Sequence, residues 1–151
     1  MRGFQRSQNE HTLYVLRRGA VILIVSVYVD DLIFTGNDEN MIQQFKDDMM
    51  NIYEMSDLGQ LHYFLGIEVS QMKNEIFISQ RKYTENILKK FNLMGCNSVD
   101  IPLIANEKLK KEDGAKKADA AVYRSLIGSI LYLTATKPDI MFTAGLLSRY
   151  M

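Results

Sequence analysis

Apolar positions along the chain change period several times, and each change predicts an element. Residues 1–10 are polar and read as loop, and Thr12-Leu-Tyr-Val-Leu16 reads as a short strand. Arg17-Arg18-Gly19 is a turn. Val21–Tyr28 is apolar at nearly every position, the pattern of a central strand covered on both faces. Leu32–Thr35 resumes the strand pattern, so Asp30-Asp31 falls at the bend of a hairpin. Gly36-Asn37-Asp38 stops the strand and offers a helix cap. Met41, Ile42, Phe45, Met49, Ile52 and Tyr53 then recur at helical spacing, with Asp38 and Glu39 suited to the positive end of the helix dipole. After a turn at Ser56–Gly59, Leu61–Val69 and Glu75–Ser79 read as two strands turning at Lys73-Asn74. Tyr83, Ile87, Leu88 and Phe91 predict a helix over 81–92. Residues 94–119 are irregular and include the charge cluster Lys108–Lys117, the best internal linker. Tyr123, Leu126, Ile127, Ile130, Leu131 and Leu133 predict an amphipathic helix capped by Asp119, and Pro138 opens a last one to Tyr150.

Strands and helices do not alternate strictly, so the fold class is α+β rather than a doubly wound sheet. Three segments follow: a strand-rich part over 1–80, a helix and charged linker over 81–119, and helices over 120–151.

Composition narrows the function classes. Hydrophobic residues at 47% and charged ones at 24% exclude wholesale disorder. Lys+Arg and Asp+Glu both number 18, which counts against a free-standing basic nucleic-acid binder. The single cysteine, Cys96, excludes a disulfide framework and a cysteine metal cluster. The longest apolar run, Ala20–Val29, is interrupted by Ser26 and too short for a bilayer span of about 20 residues. Residues 1–20 contain no signal-peptide core. A soluble chain with no membrane partner is expected.

The chemistry-bearing feature is Asp30-Asp31, two carboxylates inside the run Val25–Gly36. Strands usually exclude Asp, and buried charge is costly unless paired or metal-bound. Three readings stand. A solvated turn is the plainest. A general acid/base dyad needs two groups facing one atom, whereas neighbours on a strand point to opposite faces. A metal site suits the pair, because Mg²⁺ takes hard oxygen ligands and commonly uses one or two carboxylates plus substrate phosphates. A tight bend turns both toward one cleft.

The flanks add a family resemblance. Tyr28-Val29-Asp30-Asp31 has the reverse transcriptase pattern Tyr, any residue, Asp, Asp. With Glu10-His-Thr-Leu-Tyr14, Tyr28–Asn37, Asp57–Val69, Ile76–Gln80, Tyr123–Thr134 and Lys137–Ile140, in order and spacing, the chain resembles the reverse transcriptase of copia-type LTR retrotransposons over nearly its whole length. The resemblance implies a partial polymerase palm, with antiparallel strands and a catalytic hairpin, followed by a thumb-like helical segment over 120–151. It implies that Asp30 and Asp31 are two of three palm carboxylates holding Mg²⁺, with Mn²⁺ as a substitute. Tyr28 and Val29 would lie near the primer end. Tyr63, Phe64, Leu65 and Gly66 would match the primer grip, a hairpin that positions the primer terminus. The implied partners are an RNA or DNA template with a DNA primer, dNTPs, and the rest of the Pol polyprotein with its fingers and RNase H. The implied location is intracellular, in a cytoplasmic virus-like particle or the nucleus.

The sequence also departs from the family pattern. The first metal carboxylate of the family lies on an earlier palm strand, and the only acidic residue before Tyr28 is Glu10. The fingers' basic nucleotide-binding residues are missing too. Two carboxylates without the third bind metal weakly, so the chain alone is expected to have little or no polymerase activity. The alternative is a non-catalytic remnant acting as an interaction or nucleic-acid-binding domain. Without a neighbouring palm strand, Val21–Tyr28 is expected to form a sheet edge that invites self-association. His62 reads as a core or edge histidine, Cys96 as inert, and Met41, Met49 and Met50 as core filling. Gly36 and Gly66 read as backbone devices. Lys108–Lys117, Arg81-Lys82 and Lys89-Lys90 are surface charges that could follow phosphates.

Overall fold

A computed structural model describes residues 3–103, 109, 114 and 118–151. Apart from Leu109 and Gly114, the charge cluster at Lys108–Lys117 lies outside the described residues, as does part of the expected linker. The chain divides into two compact units, Met1–Leu61 and His62–Met151. The division falls earlier than the expected segment boundary at residue 80, placing the second set of strands with the helices.

The first unit is an antiparallel four-stranded sheet in the order β1 (Gln5–Arg6), β2 (Leu13–Arg18), β3 (Val21–Tyr28) and β4 (Asp31–Gly36), followed by helix α1 (Glu39–Ile52). Alternation decides its packing. The pairs Tyr14↔Val25, Leu16↔Leu23, Val25↔Phe34 and Val27↔Leu32 lie on one face. Of these, Tyr14, Leu16, Leu23, Val25, Leu32 and Phe34 join Met41 and Phe45 of α1 in the core, where Leu23 and Val25 are fully buried. Phe45 meets Phe34 edge-on, with ring centroids 5.3 Å apart.

Asp38 caps α1, its carboxylate accepting from the Met41 amide at 2.7 Å. Asn37 clips the two ends of the hairpin together: its side chain accepts from the Ile22 amide at 2.8 Å and donates to the Ala20 carbonyl at 3.0 Å. The Asp57-Leu58-Gly59 turn is closed by the Asp57 carboxylate, which takes the Gly59 amide and the Lys46 ammonium, at 2.9 and 2.8 Å. Lys46 holds the Asp57 carboxyl below the usual carboxylate range.

Three sequence expectations are corrected here. Residues 1–10 are not all loop, because Gln5–Arg6 pairs with β2. Val21–Tyr28 is not a sheet edge: β2 and β4 flank it, and the edges of this sheet are β1 and β4. Ile52, Tyr53 and Met50 are exposed, since α1 buries only its first three turns against the sheet.

The second unit holds a three-stranded antiparallel sheet, β5 (Tyr63–Phe64), β6 (Ile67–Met72) and β7 (Glu75–Ser79). Helices α2 (Arg81–Lys90), α3 (Ala120–Leu133) and α4 (Met141–Ser148) follow, with a 3₁₀ turn at Pro138–Ile140 before α4. Leu61–Val69 is therefore not one strand but a tight hairpin broken at Leu65-Gly66. Asp119 caps α3, accepting from the Ala121 and Val122 amides at 2.8 and 3.2 Å. Gln80, the only buried polar side chain among the described residues, joins the head of α2 to the end of α3. It donates to the Tyr132 carbonyl at 3.3 Å and accepts from Thr136 Oγ1 at 2.8 Å. His62 is exposed, and Cys96 is an exposed free thiol. Among the described residues no helix is long and apolar enough to cross a membrane.

Candidate active site

Strands β3 and β4 are joined by a two-residue turn, Val29-Asp30, closed by the pair Tyr28↔Asp31. Leu32, paired with Val27, packs on the core, so alternation places Tyr28 and Asp31 together on the opposite face of the sheet. Asp30 stands in the turn and Asp31 at its exit, both exposed. The flanking strands bury their apolar residues while the turn carries both charges into solvent, so neither pays a burial cost.

Val29 has φ 53 and is 80% exposed. A β-branched residue in this region is an outlier, and the left-handed conformation costs about 1–2 kcal/mol. The first position of such a hairpin turn is normally glycine. Non-Gly residues with positive φ among those described are Val29, Leu65 and Asn92. Two of these three sit at the tips of the hairpins to which the family pattern assigns function.

The second tip is Tyr63–Gly66. Phe64↔Ile67 closes it, and Leu65 (φ 48) and Gly66 (φ 82) both take the positive φ that a type I′ turn requires. Asn-Gly usually fills such a turn; Leu65 is a strained choice. The hydroxyl of Tyr132 donates to the Leu65 carbonyl, and the Tyr83 ring meets Tyr132 edge-on at 5.0 Å. Tyr63 and Leu65 are exposed.

Asp30 and Asp31 are hard oxygen donors of the kind Mg²⁺ takes, so the donor set fits that ion in kind. It is short in number: no group of three or more metal-ligating side chains occurs among the described residues. Glu10 is engaged locally. Its carboxylate accepts from the Thr12 hydroxyl at 2.7 Å and the Thr12 amide at 3.1 Å, and these bonds hold it below the usual range.

The neutral total conceals a division of charge. His62–Met151 contains thirteen of the 18 basic residues against nine acidic ones, whereas Met1–Leu61 contains five basic and nine acidic. Counting by unit rather than by chain reveals it. A groove of about 380 Å³ in the second unit is lined by Phe77, Gln80, Arg81, Thr84 and Lys137 among others. It contains none of the predicted site residues.

The model of the reverse transcriptase (RNA-dependent DNA polymerase) family matches residues 1–105. The retrovirus-related Pol polyprotein from transposon RE1 of Arabidopsis thaliana is 36% identical over 149 residues, covering 99% of this chain and 10% of the relative. That from transposon TNT 1-94 of Nicotiana tabacum is 32% identical over 139 residues, covering 85% of this chain and 10% of the relative. An uncharacterized mitochondrial protein of Arabidopsis thaliana is 34% identical over 127 residues, covering 83% of this chain and 52% of the relative. The chain thus spans about a tenth of the Pol polyproteins it matches. These polyprotein relatives are copia-type. No solved structure matches.

Proposed function

The chain belongs to the reverse transcriptase (RNA-dependent DNA polymerase) family, and from that premise we propose that it is the palm and thumb part of a copia-type Pol polyprotein. Within the intact enzyme it helps add deoxynucleotides to a primer on an RNA or DNA template. The observation that carries this reading is the Tyr28–Asp31 hairpin. It presents two consecutive exposed carboxylates, Asp30 in the turn and Asp31 on its closing rung, inside a sequence of that family.

Asp30 and Asp31 would hold Mg²⁺, or Mn²⁺ in its place, together with a third carboxylate from a strand outside these residues. Among the described residues β4 ends its sheet and leaves an edge for such a strand. When bound, the ion supplies the charge that activates a primer 3′-hydroxyl and steadies the leaving pyrophosphate. Tyr28, directly across from Asp31, borders the primer end with Val29. The Tyr63–Gly66 hairpin positions the primer terminus, and the positive second unit follows the duplex phosphates. Alone, the chain has too few ligands to retain the ion and does not extend primers. The setting is intracellular, a cytoplasmic particle or the nucleus, beside the other polyprotein parts.

Primer extension on an RNA template with a DNA primer and Mg²⁺ tests this. The chain and its Asp30→Asn variant should both fail to incorporate nucleotide. Incorporation that disappears in the variant would show that two carboxylates suffice.

A second reading is a non-catalytic, retrotransposon-derived domain that binds nucleic acid or a protein partner. The positive charge of His62–Met151 favours it, since that property needs no chemistry. The coding sequence upstream discriminates. An in-frame strand with the third carboxylate supports the polymerase, and stop codons support the remnant.

A further inference from the structure

The tip of the β5–β6 hairpin does not stand by its own turn alone. Leu65 occupies a left-handed conformation that L side chains rarely adopt, and it is about half exposed. Its carbonyl is taken by the hydroxyl of Tyr132, 67 residues further along and in the last turn of α3. Tyr132 is itself fixed from two other sides. Its ring lies edge-on to Tyr83 of α2 at 5.0 Å, and its own carbonyl accepts from buried Gln80 at 3.3 Å. The Tyr83 hydroxyl returns to α3, donating to the Ser129 carbonyl at 3.4 Å. At Gly66 a side chain would meet the Tyr132 ring at 3.6 Å and the Tyr83 ring at 3.8 Å, so the two aromatics stand directly against the turn.

The arrangement is more than satisfaction of a polar atom. An exposed carbonyl at a hairpin tip finds water readily, so burial does not demand the Tyr132 bond. What the bond adds is position: it ties a strained, exposed turn to a helix end that a buried side chain already locks.

We propose that Tyr132 is a positioning residue for the primer terminus, setting the Tyr63–Gly66 tip relative to α3. This rests on reading that tip as the primer-contacting hairpin. Through it, displacement of the helical segment by a bound duplex is passed to the residues that hold the primer end.

The test compares the full chain with Tyr132→Phe and Tyr83→Phe. Tyr132→Phe keeps the ring against Tyr83 and removes only the hydroxyl. Tyr83→Phe removes a hydroxyl that bonds α3 and leaves the tip bond in place. Two readouts are taken on each: backbone ¹⁵N order at Leu65 and Gly66, and affinity for a primer–template with a recessed 3′ end against a blunt duplex of equal length. Tyr132→Phe should lose order at Leu65 and Gly66 and lose the preference for the recessed end, with blunt-duplex affinity unchanged. Tyr83→Phe should keep both. Retention of tip order and end preference in Tyr132→Phe would overturn the proposal alone. Absence of any preference for the recessed end in the unaltered chain would overturn the primer-hairpin reading, and this proposal with it.

Discussion

Tyr28 and Asp31 face each other across the closing rung of the first hairpin, with only Val29 and Asp30 between them. One side chain can stack and the other can hold charge, both on the sheet face away from α1. The rung beneath them, Val27↔Leu32, points into the core side. The orientation of Asp31 therefore follows from the alternation of buried residues along two strands, and a one-residue slip would turn it inward.

Val29 carries strain at that turn, and glycine would release it. Val29→Gly is expected to stabilise the chain by about 0–1.5 kcal/mol: roughly 1–2 kcal/mol of strain is lost, less roughly 0.5–1 kcal/mol for the extra freedom of unfolded glycine. Urea unfolding measures it. A destabilised variant would mean that the Val29 side chain makes a stabilising contact.

Gly36 ends β4 where the chain must pass close to β3. A Cβ there would lie 2.8 Å from the Ile22 carbonyl oxygen, 3.3 Å from Leu23 Cδ1 and 3.4 Å from Ile42 Cγ1. Gly36→Ala is expected to cost about 1–3 kcal/mol, since backbone cannot yield as a side chain does. Unfolding midpoints of the two proteins decide it, and equal midpoints would show that the strand end shifts freely.

Asp119 is held below the usual carboxylate range, chiefly by the Val122 and Ala121 amides. A depressed folded-state value means that the cap stabilises α3 fully above the unfolded value, about 3.9. That contribution is lost as pH falls further, through the folded value. Acid titration followed by helix circular dichroism should therefore show a loss in this range. It should be smaller in Asp119→Asn, which caps without titrating. Identical titrations would remove Asp119 from the account.

The edge strand β7 exposes Ile76, Phe77 and Ile78. Unpaired apolar edges associate, so sedimentation of the chain should show self-association that Ile76→Lys with Ile78→Lys reduces. A monodisperse monomer before substitution would contradict this. The expected edge at Val21–Tyr28 was misplaced because the sequence does not say that β2 pairs with β3. The apolar run looked the same whichever neighbours it had.

Two elements with strong local signals were legible: β3, from the unbroken apolar run Val21–Tyr28, and α3, from its helical period behind the Asp119 cap. What stayed hidden had weak local signals. The break at Leu65-Gly66 uses leucine where asparagine is usual, so Leu61–Val69 read as a single strand. Asn37 looked like a turn residue, and only register shows it clipping Ala20 and Ile22. Tyr132 could not be found from spacing at all, because its partner lies 67 residues away. The Asp30-Asp31 pair was legible by its flanks, and its exposure follows from a two-residue turn.

The role proposed for Asp30 and Asp31 is a divalent-metal site on the first hairpin. Paramagnetic broadening of backbone amides by Mn²⁺ tests it most directly. Broadening is expected to be weak, centred on Val29–Asp31, competed by Mg²⁺, and abolished by Asp30→Asn with Asp31→Asn. Broadening that centres elsewhere, or that persists unchanged in the double variant, would contradict it.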